Sequence, residues 1–585
     1  MKSSIQIYCV LILSVVFASC KKDILDQFPT ASISPNTFFQ TEGDLKAYTN
    51  LFYSHLPDAG FIYGEDADNI VKSSVEREIA GTRLVPTTDG RWSWTQLRNI
   101  NFFLNSENVQ NFSNAAIRDE YIGIARFFRA FFYFEKVKSY GDVPWYSTVI
   151  ETNDEANLMK ARDPRTLVMD SVLADIDFAI EHLSTTKSVE RITKWSALAL
   201  KSRITLYEGT WRKYHTEFSI ADSERFLNEC VEASAELMNS GVYTIYNKTT
   251  GPTGKPYQDL FANLTIDPVA DEVILARRYS NELSLRHGLQ FYITARTQGK
   301  PGLEKRLVNS YLMADGSRFT DIPGYDTIQF FNEVQNRDPR LSQTIRTPGY
   351  RRVGASTTSS VDFEATMTGY QPIKWMNNTS LDGNGQSFQD MAIFRLGEVL
   401  LNYAEAKAEL GTLTQADINM SIKLLRDRVG MPNLDMMAAN ANPDPYQANL
   451  YPNVSGQNKG VILEIRRERR IELVMESNLR WEDLMRWKEG HLLADPFKGM
   501  YFPGVGFYDL DKNGVPEIEI YEGAKPPATG PFQFPASDLS EGTKGNILTN
   551  RNISKTFNEN RDYLWPLPIE DLTLNDNLTQ NPGWQ

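Results

Sequence analysis

The chain has 585 residues, with 61 Lys and Arg against 74 Asp and Glu, for a formal net charge of −13. Hydrophobic residues at 41% and charged residues at 23% exclude general disorder, and the acidic balance excludes the basic face that nucleic acid requires. A mean hydropathy of −0.40 leaves no room for a bundle of membrane spans.

The N-terminus opens with a minimal basic region, Met1–Lys2, then an apolar run from Ile5 to Ala18 broken only by Gln6 and Ser14. That run has the length of a signal-peptide core and is too short to span a bilayer comfortably. It ends in Phe17-Ala18-Ser19-Cys20, the form of a bacterial lipoprotein signal, so residues 1–19 are expected to be removed and Cys20 to be lipidated. An ordinary cleaved secretory signal is the competing reading. Two acyl chains give a stable anchor where one is marginal. The three cysteines are Cys9, Cys20 and Cys230, so the mature chain has no internal disulfide, and the count excludes zinc and thiol-redox sites.

Residues 20–40 read as a lipid-anchored tether. Thr41-Glu42-Gly43-Asp44 is a capping box opening a helix through Leu45, Tyr48, Leu51 and Phe52. Helical spacing recurs over Asn101–Asn108, Tyr121–Tyr140, Leu167–Leu183, Thr193–Glu208 and Glu224–Met238. Gly141 ends the second of these. Residues 241–390 change texture to Gly, Pro, Thr and Asn clusters with short apolar bursts such as "DEVILARRY", the mark of loops and small strands.

Helices resume at Arg395–Leu410, and a second capping box at Thr414 and Asp417 starts one that runs to Val429. Together they approach the ~34-residue length of a tetratricopeptide hairpin. Val461–Ser477 and Trp481–Lys488 are the last clear helices, and residues 491–585 are again irregular. These patterns predict a mainly α chain, a helical scaffold carrying long functional loops, divided into an N-terminal helical part at 41–240 and a second part at 241–585 within one compact body.

Several strings, in order, resemble the SusD/RagB-like outer-membrane lipoproteins of Bacteroidetes. They are "SC" with "KKDILDQFP", "FFQTEGDLKAYTNLF", "IGIARFFRAFFYFEKVKSYGDVPWY", "ITKWSALALKSRITLYEG", "FRLGEVLLNYAEAKAELG", "LLRDRVGMP", "EIRRERRIELVMESNLRWEDLMRW" and "YLWPLPIEDLTLNDNLTQNPGW". They run from residue 20 to the C-terminus. The resemblance implies a SusD-like α-helical fold, with tetratricopeptide-like helix pairs supporting a loop-rich half with few short strands. It also implies a surface lipoprotein that captures an oligosaccharide and delivers it to a SusC-like TonB-dependent transporter of the outer membrane. A peptide-binding member of the same family, or a structural lid with no ligand of its own, are the alternatives.

Sugar rings lie flat on Trp or Tyr while polar side chains bond the hydroxyls, so aromatics outside periodic helices are the site candidates. Trp92 and Trp94, with Arg98 and Asn101 in the following helix, have that composition; the competing reading makes both tryptophans core anchors. Tyr63 with Asp66, Asp68 and Asn69 is a second candidate, and Tyr279, His287 and Tyr292 a third. Trp375 reads as structural. Arg466, Arg467, Arg469, Arg470 and Arg480 are interleaved with Glu464, Glu468, Glu472 and Glu476, which predicts a partly buried ion-pair network rather than a basic patch; Trp481 and Trp487 are assigned to the same packing.

Asp509, Asp511, Asn513 and Glu517, with Gly514, match the opening of a calcium loop, but Ile520 stands where the bidentate Glu belongs. A full EF-hand is excluded and an irregular Ca²⁺ site is retained as a candidate; no other cofactor is expected. The five histidines are scattered, and no HExxH, GxSxG or phosphate-binding loop is present, so the chain is expected not to be an enzyme.

Overall fold

The computed structural model describes residues 38–528 and 530–584. The expected signal segment, Cys20 and the tether up to residue 37 lie outside the described residues.

Helix α1 (Glu42–Thr49) starts where the capping box places it: the Asp44 amide donates to Thr41 Oγ1 at 3.3 Å and the Thr41 amide to Asp44 Oδ2 at 2.9 Å. The next turn tightens to a 3₁₀ helix over Asn50–His55, which buries Phe52 and leaves Leu51 exposed. A short helix, α2 (Ala59–Tyr63), follows.

α3 (Thr95–Asn105) begins six residues before the periodic run, because the apolar stripe of Leu97, Ile100, Phe103 and Leu104 extends back to Trp94. α4 (Ala115–Tyr140) is capped by Asn114, whose side chain accepts from the Ala116 and Ile117 amides, and stops at Gly141 with φ +73°. Its Phe and Tyr residues are almost all buried, each contributing about 1.5–3 kcal/mol of burial.

Four helices continue the layer: α5 (Arg165–His182), α6 (Lys194–Tyr214), α7 (Ser223–Asn239) and α8 (Leu396–Glu409). α3 packs on α4, α4 on α5, α5 on α6, α6 on α7 and α7 on α8, so the helices stack as successive neighbours. The second helix of the predicted hairpin, after α8, is broken once. A short helix at Gln415–Asn419 is separated from α9 (Ile422–Val429) at Ser421, whose hydroxyl bonds back to the Asp417 carbonyl. α10 (Lys459–Glu472) packs on α8, and α11 (Leu479–Arg486) on α6.

The loop-rich half carries small sheets. β1 (Val273–Arg277) pairs antiparallel with β2 (Met391–Arg395), which runs straight into α8. β3 (Lys498–Phe502) pairs antiparallel with β7 (Gly545–Leu548). β4 (Gly506–Tyr508) and β5 (Ile518–Tyr521) form an antiparallel hairpin to which β6 (Phe532–Pro535) adds in parallel. One apolar core runs through both sequence halves, from Phe39 through Phe128, Ile274 and Trp487 to Leu567.

The Arg/Glu string lies deeper than its sequence suggests. Arg466, Arg467, Arg469 and Arg470 are buried. Arg340 and Arg426 reach Glu468 at 2.6 and 2.9 Å, and Arg395 reaches Glu472 at 2.9 Å. Removing one partner of such a pair leaves an uncompensated buried charge, at a cost of about 3–5 kcal/mol.

Candidate functional site

The tryptophans of the "GRWSW" loop turn inward. Trp92 is 4% exposed, edge-on to Tyr140 at 4.8 Å and to Trp94 at 5.3 Å. Trp94 packs on Phe132 and Tyr146. Asn101 is buried, donating to the carbonyls of Tyr146 and Thr148 at 2.9 and 3.1 Å and accepting from Arg129 at 3.2 Å. Arg98 is exposed and donates to the Ile150 carbonyl at 2.6 Å. Trp92 and Asn101 are therefore framework rather than ligand platform. Each fills a place that packing and hydrogen bonds have already saturated.

Asp68 and Asn69 are corrected in the same way. Asp68 is buried between Arg470 and Arg480, at 3.0 and 2.6 Å, and Arg470 also donates to Asn69 Oδ1 at 2.7 Å. Burial would raise the Asp68 carboxyl, but the two guanidiniums overcome it and hold the group well below the usual carboxylate range.

What the inward turn of Trp92 leaves outside is a cleft of about 720 Å³. Its walls come from α2, the Gly90–Ser93 turn, α4, the start of α11 and the Tyr563–Trp565 segment. Arg91 and Ser93, the neighbours of Trp92, face it. Phe61 lines it at 47% exposure, and Trp481 and Trp565 line it half-buried. The Arg91 guanidinium lies over the Trp565 ring at 3.7 Å. Lys136 fixes the turn by donating to the carbonyls of Ser93, at 2.8 Å, and Arg91. Gln96, Asn478 and Glu76 supply polar groups at the wall. Apolar faces beside a few polar groups are the composition that holds a sugar.

Trp481, expected in the packing of the Arg/Glu string, lines this cleft, and Trp565, Phe61 and Gln96 join it without a periodic or motif signal in the sequence. The signal that finds Trp565 is its place in a Pro-bounded, non-helical stretch, "LWPLP".

Two candidates that were separate in the sequence come together beside α2. Tyr63 and Tyr292 have ring centroids 5.3 Å apart, Tyr63 and His287 6.3 Å, and Tyr279 and His287 4.6 Å. The Tyr279 hydroxyl accepts from the Ala59 amide at 2.8 Å, and His287 Nε2 lies 3.0 Å from the Gln389 carbonyl. Burial lowers the His287 pKa and raises that of Tyr292. Helix α2 thus presents Phe61 to the cleft and Tyr63 to this aromatic arc.

In the β4–β5 hairpin, carboxylate oxygens of Asp509, Asp511 and Glu517 lie within 4.8 Å of one another and could hold a cation. The Asn513 side chain accepts from the Val515 amide at 2.8 Å. Asp509 is occupied by the Gly514 and Asn513 amides, at 2.7 and 3.2 Å, and Ile520 is buried in β5. Calcium takes roughly six to eight oxygens, so these three carboxylates would need waters or backbone carbonyls to complete its shell.

A family model described as the SusD family matches residues 271–584, more than half of the chain, and one described as starch-binding associating with outer membrane matches residues 66–206. The chain is 25% identical to SusD-like protein P38 of Formosa agariphila over 520 residues, covering 84% of this chain and 93% of that one. Among solved structures, a SusD-like protein from Bacteroides fragilis superposes with a TM-score of 0.68 at 23% identity, over 95% of this chain and 100% of that one. A SusD-like carbohydrate binding protein from the same organism gives 0.67 at 22% identity, over 93% and 100%. These superpositions show a shared SusD-like helical fold, and the family model over more than half of its length places the chain in the SusD family.

Proposed function

We propose that this protein is a non-catalytic surface lipoprotein of the outer membrane, anchored through Cys20, that captures an oligosaccharide and delivers it to a SusC-like TonB-dependent transporter. The observation that carries the reading is the cleft in which Phe61, Trp481 and Trp565 stand among Gln96, Asn478 and Glu76. The family description that names starch binding and the outer membrane supports it, as does the neighbour described as carbohydrate binding.

Capture for handover needs only modest affinity, about −4 to −8 kcal/mol, because a tight grip slows release. Isothermal titration of the soluble protein lacking residues 1–20 against an oligosaccharide panel tests the reading. One glycan class is expected to bind, and Trp481→Ala or Trp565→Ala to weaken it tenfold or more, about 1.4 kcal/mol. Silence on every glycan with heat on peptide injection moves the cargo to peptides. Silence on both leaves a structural lid.

A further inference from the structure

The cleft's charges say which glycans it takes. Five carboxylates line it (Asp66, Glu76, Glu78, Glu135 and Glu482) against three cations, Arg91, Lys136 and Lys138.

Each cation is already engaged. Lys138 Nζ sits between Glu135 and Glu482 at 2.7 and 2.6 Å. Burial alone would lower its pKa, but the two carboxylates overcome this and raise it, which keeps the ammonium charged and held. Lys136 is buried, spends its protons on the carbonyls of Arg91 and Ser93, and is pulled by burial down to about 7. Arg91 is flanked by Glu78 at 3.6 Å and Asp89 at 3.7 Å while its flat face lies on Trp565.

Exposed charge of both signs remains, with carboxylates in excess. The Arg91, Glu135 and Asp66 side chains are 50%, 44% and 42% accessible, Glu76 is exposed, and Lys72 pairs with Asp66. A uronate or sulfate entering this cleft meets more carboxylates than cations, and the accessible guanidinium there, Arg91, is already shared between Glu78 and Asp89. A neutral sugar meets carboxylate oxygens, which accept from its hydroxyls, and aromatic faces, which take its C–H surfaces. The net charge of −13 on the whole chain adds a repulsive field for any polyanion.

We infer that this cleft selects uncharged oligosaccharides and rejects uronate-bearing and sulfated ones. The inference rests on the reading of the cleft as the glycan site.

The test uses the soluble protein lacking residues 1–20 with two sets of probes of equal length. Neutral hexasaccharides of glucose, xylose and mannose form one set; hexagalacturonate and hexameric alginate form the other. One neutral probe is expected to bind with an affinity that changes less than twofold between 20 and 500 mM NaCl. Both anionic probes are expected to bind at least tenfold more weakly. The exposed positions Glu76→Lys and Glu135→Lys, combined, are expected to raise affinity for hexagalacturonate at least tenfold, in a salt-dependent way.

Wild-type binding of an anionic probe as tight as, or tighter than, the best neutral one overturns the inference and leaves the glycan reading standing. No binding by either set removes the glycan reading and the inference with it. If the double variant melts early, the wild-type comparison and its salt dependence decide alone.

Discussion

The Met475 amide donates to Glu65 Oε2 at 2.7 Å, joining two segments 410 positions apart in the chain. Met475 and Ser477 both have φ +58°, a left-handed conformation that ends α10 five residues before the periodic run does. The turn is held by three bonds to one segment. Besides Glu65, the Ile62 carbonyl accepts from the Ser477 amide at 2.7 Å, and the Asp66 amide donates to Asn478 Oδ1 at 3.2 Å. Because Asn478 and Trp481 follow the turn while Phe61 and Asp66 flank the segment, these bonds set the width of the cleft.

Glu65 itself carries a pH dependence. Burial pushes its carboxyl up to about 7; the Met475 amide, Asn69 and Arg480 lower it, and Asp68 raises it, without reversing the burial. Burial first, and then the charges of Tyr63 and Glu65, raise the Tyr292 hydroxyl. With a folded pKa above the unfolded one, the folded state binds more protons between about pH 4.5 and 7, so this group's contribution to stability falls as pH rises through that window. Glu65→Gln removes the ionisation. It is expected to be near neutral for stability at pH 5 and stabilising at pH 8, by about 1–3 kcal/mol, in denaturant melts at the two pH values. Equal effects at both would show that Glu65 does not titrate there.

Asp68 tests whether the buried Arg/Glu/Asp network is framework. Asp68→Asn leaves Arg470 and Arg480 without the carboxylate they share, and is expected to lower unfolding free energy by about 3–5 kcal/mol. At a temperature where the variant is folded, its glycan affinity is expected to match wild type. A loss of affinity in a variant of unchanged stability would return Asp68 to the ligand.

The helices were legible because their signals are local: the Thr41 and Thr414 boxes, the apolar spacing of α4, the glycine stop at Gly141. The composition of the cleft was legible only as a neighbourhood. The "GRWSW" string marks the right loop, but which of its residues face outward is decided by Tyr140 and Lys136, some 45 positions on. The pairing of Tyr63 with Tyr292, and the loss of Asp68 to Arg470 and Arg480, depend on chain separations that no local pattern encodes.

Trp92 separates these two levels experimentally. Trp92→Ala empties a core position against Tyr140 and Trp94, and is expected to cost about 3–5 kcal/mol of stability. Gln96→Ala, at an exposed cleft position, is expected to leave stability within about 0.5 kcal/mol and weaken glycan binding severalfold. The pair of measurements is chemical denaturation and titration on each variant. Binding lost in Trp92→Ala at full stability would place that ring against the ligand after all.

Cys230 gives a last check on the packing of α6, α7 and α8. Its thiol is buried between Ser202, Ser234 and the Asn402 carbonyl, and burial pushes it up to about 12, against the lowering effect of the Ser234 and Ser202 hydroxyls. The thiolate is the reactive form, so a group this far from ionising and this enclosed is inert. In the soluble protein lacking residues 1–20, iodoacetamide at pH 8 is expected to leave Cys230 unmodified under native conditions and to alkylate it fully in denaturant. Rapid native alkylation would mean that the α6–α7–α8 seam opens on the timescale of labelling, and that the helical stack is looser at this point than its burial indicates.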